Sequence, residues 1–208
     1  MSVIGIDFDN TIVGYDELMY RLAIERGLIT GDESDRTKRR VRDRVRLLPD
    51  GEIEWQKLQA LAYGPMMAEA RLLAGADEFI RRCHAAGVGV RIVSHKTEYA
   101  PYDHTRTNLR DAAMEWMAAH RFFDADAVGL TRDAVFFEST RDEKIARIRA
   151  IGCSHFIDDL EEVFLEPSFP AHVQKVLYAP DATARSTSNV MVVPSWRAVS
   201  DYFFDHSA

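Results

Sequence analysis

Two carboxylates one residue apart, Asp7 and Asp9, follow a short apolar run, Val3-Ile4-Gly5-Ile6. That run is too short and too β-branched for a helix and reads as a buried parallel strand. Ligands of an open α/β sheet bind outside the carboxyl ends of its strands, which is where these two acids fall. Residues i and i+2 of an extended segment face one side, so the carboxylates lie close together. Like charges that near are mutually unfavourable unless a cation compensates them, so the pair asks for a metal ion or a shared proton. The competing reading is an ordinary strand-end turn, since Asp-Phe-Asp-Asn-Thr contains favoured turn residues.

Three later features weigh against the turn. Ser94, His95 and Lys96 close a second apolar run, Val88 to Val93; Lys144 lies on an expected helix from Arg141 to Ile151; Asp158 and Asp159 close a third run, His155-Phe156-Ile157. A parallel sheet brings such strand ends to one edge however far apart they are in sequence. Adjacent acids after a buried strand are costly without a cation. The chemistry this set could perform is phosphoryl transfer, where an anionic centre must be neutralised and positioned before a nucleophile can reach it. A carboxylate held beside a divalent cation can attack phosphorus, and a second acid can protonate the leaving oxygen and then activate water. Ser94 and Lys144 would hold the phosphoryl oxygens. Mg²⁺, which takes few carboxylates and several waters, suits Asp7, the Asp9 backbone carbonyl and Asp158. Duller readings stand beside these: Ser94 as a turn or cap residue, Lys144 as a solvated helix lysine, Lys96 as either a phosphate contact or a surface group.

Asp7-x-Asp9-x-Thr11, Ser94, Lys144 and the pair Asp158-Asp159, in that order, resemble the four motifs of the haloacid dehalogenase (HAD) superfamily, over about residues 1–14 and 75–180. The resemblance implies a three-layer, Rossmann-like α/β core with a mostly parallel sheet and a small α-helical cap. It implies Asp7 as nucleophile, forming an aspartyl-phosphate, and Asp9 as general acid and base. Ser94 and Lys144, with Asn10 and His95 beside them, would bind the phosphate or substrate. Asp159 would fix Lys144 or a water on the metal, and Thr11 would hydrogen-bond within the first loop. Dehalogenating members of that family lack an acid at the position of Asp9, so its presence favours phosphoryl transfer. Thr140 to Lys144 and the Ile157-Asp158-Asp159 ending are also similar to the small 5′(3′)-deoxyribonucleotidases of the superfamily.

The elements that must position these groups follow from periodicity and breakers. Residues 15–72 read as three helices: Tyr15 to Gly27, Asp35 to Leu48, and Ile53 to Tyr63. They form an expected cap inserted into a core of residues 1–14 and 73–208. The core continues with a helix closed by Gly87, a helix from Thr107 to His120, strands at Val135-Phe136-Phe137, Val176-Leu177-Tyr178 and Val190 to Val193, and a last helix capped by Ser195. Seven basic residues between Arg36 and Arg46 cover the second helix. Arg39, Arg40, Arg42 and Arg46 either reach the non-reacting part of an anionic substrate or form a solvated basic face. His95, Tyr99, Tyr102 and His104 divide likewise between pocket lining and surface.

Composition bounds the rest. A chain of 208 residues, 47% hydrophobic and 28% charged, suits one soluble α/β domain with an insertion, and no apolar run reaches the roughly 18 residues of a membrane span. The net charge of −7 argues against general nucleic-acid binding. No signal peptide is expected, and Cys83 and Cys153 make neither a disulfide framework nor a thiolate metal site, so a reducing cytoplasm is expected. The expected function is Mg²⁺-dependent hydrolysis of a small phosphorylated metabolite, a sugar phosphate or nucleotide. Transfer to an acceptor other than water, and a catalytically silent binding or regulatory module, are the alternatives.

Overall fold

The computed structural model describes residues 2–31, 35–180 and 189–205. In chain order the elements are β1 (Val3–Ile6), β2 (Val13–Gly14), α1 (Asp16–Glu25), α2 (Lys38–Val45), α3 (Gly51–Tyr63), β3 (Arg71–Leu72) and α4 (Ala76–Ala85). They continue with β4 (Gly89–His95), α5 (Leu109–Ala119), β5 (Val135–Glu138), α6 (Arg141–Ala150), β6 (His155–Asp158), α7 (Glu161–Leu165), β7 (Gln174–Tyr178), β8 (Val190–Val193) and α8 (Trp196–Phe204). The chain divides into two compact units: Met1–Val13, Leu72–Lys96 and His120–Ala208 form one, Gly14–Arg71 and Thr97–Ala119 the other.

The first unit is built on a six-stranded sheet in the order β5-β4-β1-β6-β7-β8, every pair parallel. Its order reverses at β1, from which the chain goes out to β4 and β5 and then returns to β6 on the other side. That is the switch point at which an open α/β sheet leaves a crevice at its carboxyl edge. Register does the rest: Ile6 pairs with both Ile92 and Ile157, and the Asp7 amide donates to the Ile157 carbonyl at 2.9 Å. Asp7 is thereby set beside Asp158.

The core lies against the sheet. Val93, Ile145, Ile148, Phe156, Val163, Phe164 and Leu177 bury one continuous cluster between the sheet and helices α6 and α7. Each such side chain contributes about 1.5–3 kcal/mol by leaving water. Gly5, in the middle of β1, is required by close approach, because a Cβ there would fall 2.5 Å from the Phe156 ring. Elsewhere in the unit α4 packs on α8, with Phe79 against Trp196 at 5.3 Å between ring centroids.

The second unit is helical. Tyr15 stacks edge-on with Tyr63 and donates its hydroxyl to the Met67 sulfur at 3.2 Å, while Val41, Val45, Trp55 and Leu58 are buried. The grouping differs from the expected division in one segment, because 97–119 joins this unit. The Trp116 indole of α5 donates to the Ala70 carbonyl at 2.9 Å, and Leu109, Ala113 and Met117 are buried along the same helix. Helix α2 begins later than periodicity suggests, since the Thr37 hydroxyl caps it by accepting from the Arg40 amide. No helix among the described residues is long and apolar enough to cross a membrane.

Candidate active site

Four segments of the first unit converge on one cluster of charge. β1 delivers Asp7, now 4% exposed, and the loop after it delivers Asp9. β6 delivers Asp158, fully buried, with Asp159 following. α6 delivers Lys144, which is 2% exposed although it lies on a helix that is otherwise largely polar. A capping box explains its placement: the Thr140 hydroxyl accepts from the Glu143 amide while the Glu143 carboxylate accepts from the Ser139 and Thr140 amides. With the helix start locked, Lys144 sits in the first turn and its side chain leans back toward the strand ends.

The Lys144 ammonium donates to Asp7 Oδ1 at 2.7 Å and to Asp158 Oδ2 at 2.6 Å. Asp158 also accepts from the Leu160 amide at 2.9 Å. Burial pushes the Asp7 carboxyl up to about 6 despite the adjoining ammonium, with Asp158 and Asp9 adding to the rise. Burial also works against the ammonium of Lys144, but the Asp158 and Asp7 carboxylates outweigh it and hold its pKa above the usual lysine value. Asp7, Asp158 and Asp159 each offer an oxygen within 4.8 Å of the others, a donor set suited to a hard divalent cation. Asp9 is absent from that trio. Both of its oxygens face Lys96, at 3.1 and 2.9 Å.

The charges support the fit of such an ion. Four carboxylates, Asp7, Asp9, Asp158 and Asp159, gather beside the ammonium groups of Lys144 and Lys96, and Asp159 is one of the three whose oxygens converge. Asp159 therefore lies closer to the ligand group than expected, while still accepting a long 3.5 Å bond from the Thr11 hydroxyl. Thr11 is buried, and its carbonyl accepts from the Trp196 indole at 2.8 Å. Asn10 turns the loop with φ at 58°, a left-handed conformation that asparagine tolerates, and its amide donates to the Val13 carbonyl.

Ser94 and Lys96 are 1% and 4% exposed, so neither is a surface group. His95 is not brought to them. Strand alternation turns it to the other face, where it is exposed with Nε2 3.0 Å from the Ser139 carbonyl. The arginines lie in the other unit. Arg42 pairs with Asp43 and Arg46 with Glu52, at 2.8 and 2.6 Å, while Arg39 and Arg40 are exposed on α2. Exposed pairs of this kind contribute about 0–1 kcal/mol. Sequence reasoning left the pairing of Lys96 with Asp9 unread, though a signal was present: a lysine two residues beyond Ser94 shares its face of the strand.

No protein-family model matches the sequence, and no curated protein does. Solved structures do match. A HAD hydrolase of family IA, variant 3, from Entamoeba histolytica is similar with a TM-score of 0.59 at 10% identity, over 95% of this chain and 94% of that one. A HAD-superfamily hydrolase of subfamily IA, variant 1, from Geobacter sulfurreducens gives 0.58 at 14% identity, over 97% and 96%. A HAD family hydrolase from Deinococcus radiodurans, solved with bound phosphate and sodium, gives 0.51 at 14%, over 99% and 96%. The reversal at β1, the convergent strand ends and these whole-length matches agree: the chain has the fold of the HAD-superfamily hydrolases.

Proposed function

We propose that this protein is a divalent-metal-dependent phosphohydrolase, with Mg²⁺ the expected ion, acting on a small phosphorylated metabolite of the sugar phosphate or nucleotide class. The observation that carries this reading is the buried Lys144 ammonium, joined to Asp7 and Asp158 from opposite ends of the chain. A packed domain has no structural need of it, because an apolar substitute of similar volume is often no less stable than a buried ion pair. A neighbour of the same fold with bound phosphate and sodium supports an anion-and-cation site.

In this mechanism Asp7 attacks phosphorus. Lys144, and the hydroxyl of Ser94, hold the phosphoryl oxygens and offset their charge. Asp7, Asp158 and Asp159 would hold the cation, which supplies further neutralisation of the phosphoryl group. Asp9 gives a proton to the leaving oxygen, and the aspartyl-phosphate on Asp7 is then hydrolysed by a water that loses its proton to Asp9.

The test is phosphate release from a panel of aryl phosphates, sugar phosphates and nucleotides with and without Mg²⁺. Turnover should require the metal and fall by at least about 1,000-fold in Asp7→Asn, as expected when a covalent nucleophile is lost. Absence of release from the whole panel, or full activity in Asp7→Asn, would overturn the reading.

A further inference from the structure

The mechanism above gives Lys96 no task, yet its side chain is buried and paired with Asp9. Lysine normally keeps its head group in water and is almost never fully buried without a partner. Here the side chain is 2% exposed, against 18% for the Asp9 carboxylate it faces. Its backbone amide donates to the Glu138 carbonyl at 2.8 Å, which carries the β4–β5 pairing one residue past the strand end. Its ammonium lies 5.7 Å from the centroid of the Phe8 ring. The cation is thus anchored at its root by the sheet and at its head by a ring and a carboxylate.

Two features separate this contact from ordinary charge balance. The ammonium meets both oxygens of Asp9, at 3.1 and 2.9 Å, which holds the head of the carboxylate at a fixed point, whereas a bond to one oxygen lets it swing about that contact. Lys144 cannot perform the same service, being engaged by Asp7 and Asp158. We propose that Lys96 is a positioning residue, which holds the Asp9 carboxyl in the orientation from which it exchanges a proton with the leaving oxygen and then with water. This inference rests on the phosphohydrolase reading.

A bond forms from an Asp7 oxygen to phosphorus while the bond from phosphorus to the leaving oxygen breaks, and that oxygen takes the proton from Asp9. Water then attacks phosphorus, the bond to Asp7 breaks, and the water proton passes to the Asp9 carboxylate. Lys96 gains and loses nothing. Its effect is therefore greatest where proton donation matters most, with a basic alkoxide leaving group, and least with an acidic nitrophenolate.

The experiment compares kcat and KM of wild type, Lys96→Met, Asp9→Asn and the double variant on p-nitrophenyl phosphate and on the best alkyl phosphate of the panel. In Lys96→Met the loss of kcat on the alkyl phosphate should exceed the loss on the aryl phosphate by about 10- to 100-fold, the scale of a misplaced catalytic group. Adding Lys96→Met to Asp9→Asn should leave the alkyl-to-aryl ratio unchanged, since the two act through one carboxyl. Equal losses on both substrates, or a loss confined to KM, would overturn the proposal and make Lys96 a structural or phosphate-binding group. If Lys96→Met melts below the assay temperature, Lys96→Gln, which keeps a neutral donor, carries the same comparison. A wild type whose turnover is independent of Asp7 defeats the phosphohydrolase reading itself and this inference with it. Asp7-dependent turnover with no leaving-group effect defeats this inference alone.

Discussion

Lys144 and Lys96 are the same residue in two settings a few ångströms from the same strand. Lys144 sits between two carboxylates that are themselves out of water, and it ties β1 to β6 through them. Lys96 faces the Asp9 carboxylate, which still touches solvent. Where both partners of a cation are buried, neither can be rehydrated if the cation is lost, so its removal costs stability as well as fixed charge. Where the partner reaches solvent, loss of the cation costs orientation more than stability.

Lys144→Met breaks the stronger of the two and should cost about 3–5 kcal/mol, the toll of leaving buried carboxylates uncompensated. Urea denaturation measures it, and Lys96→Met should lose clearly less in the same experiment. Equal losses would erase the distinction. Gly5→Ala sharpens it from below. The new methyl must displace the Phe156 ring, over which the Lys144 ammonium sits at 5.4 Å, at a cost of about 1–3 kcal/mol typical of overpacking. Phosphate release should fall with it, because the seat of Lys144 moves. Trp196→Phe removes the indole bond to the Thr11 carbonyl and should cost about 1 kcal/mol.

A further effect is in pH. Asp7 carries a carboxyl pushed from 3.8 to about 6 in the folded state. Between those values the folded chain binds more protons than the unfolded one, so this group's contribution to stability is complete below 3.8 and is lost as pH rises through about 6. In metal-free buffer the denaturation free energy of wild type, relative to Asp7→Asn, should therefore decline from pH 4.5 to pH 7. A difference that stays flat over that interval would show that Lys144 keeps Asp7 charged throughout it.

Much of this arrangement is legible in the residues themselves. Apolar runs ending in acids locate β1 and β6, because a strand buried on both faces needs an unbroken hydrophobic segment and its end does not. Thr140 and Glu143 announce the start of α6, and with it the position of Lys144. The five-residue α7 and the two-residue strands β2 and β3 carry no periodicity to read. The assignment of α5 to the helical unit was hidden for another reason: its apolar stripe marks a buried face without naming what buries it. Lys96 shows the same limit at the site. Its type and spacing are visible in the chain, but whether a lysine head lies in water or against a carboxylate is decided by tertiary packing.

The bond from the Trp196 indole to the Thr11 carbonyl spans 185 positions of sequence, and the bond from Lys144 to Asp7 spans 137. Contacts so distant in sequence close large loops, whose entropy must be met before the contacts repay it. On a ribosome, the first strand emerges long before the helix that steadies its loop, and its acids then stand without their ammonium partner or any fixed geometry. The Asp7 and Asp158 carboxylates can meet the Lys144 ammonium only once synthesis has passed β6, and the Thr11 carbonyl gains its indole partner later still, when residue 196 emerges.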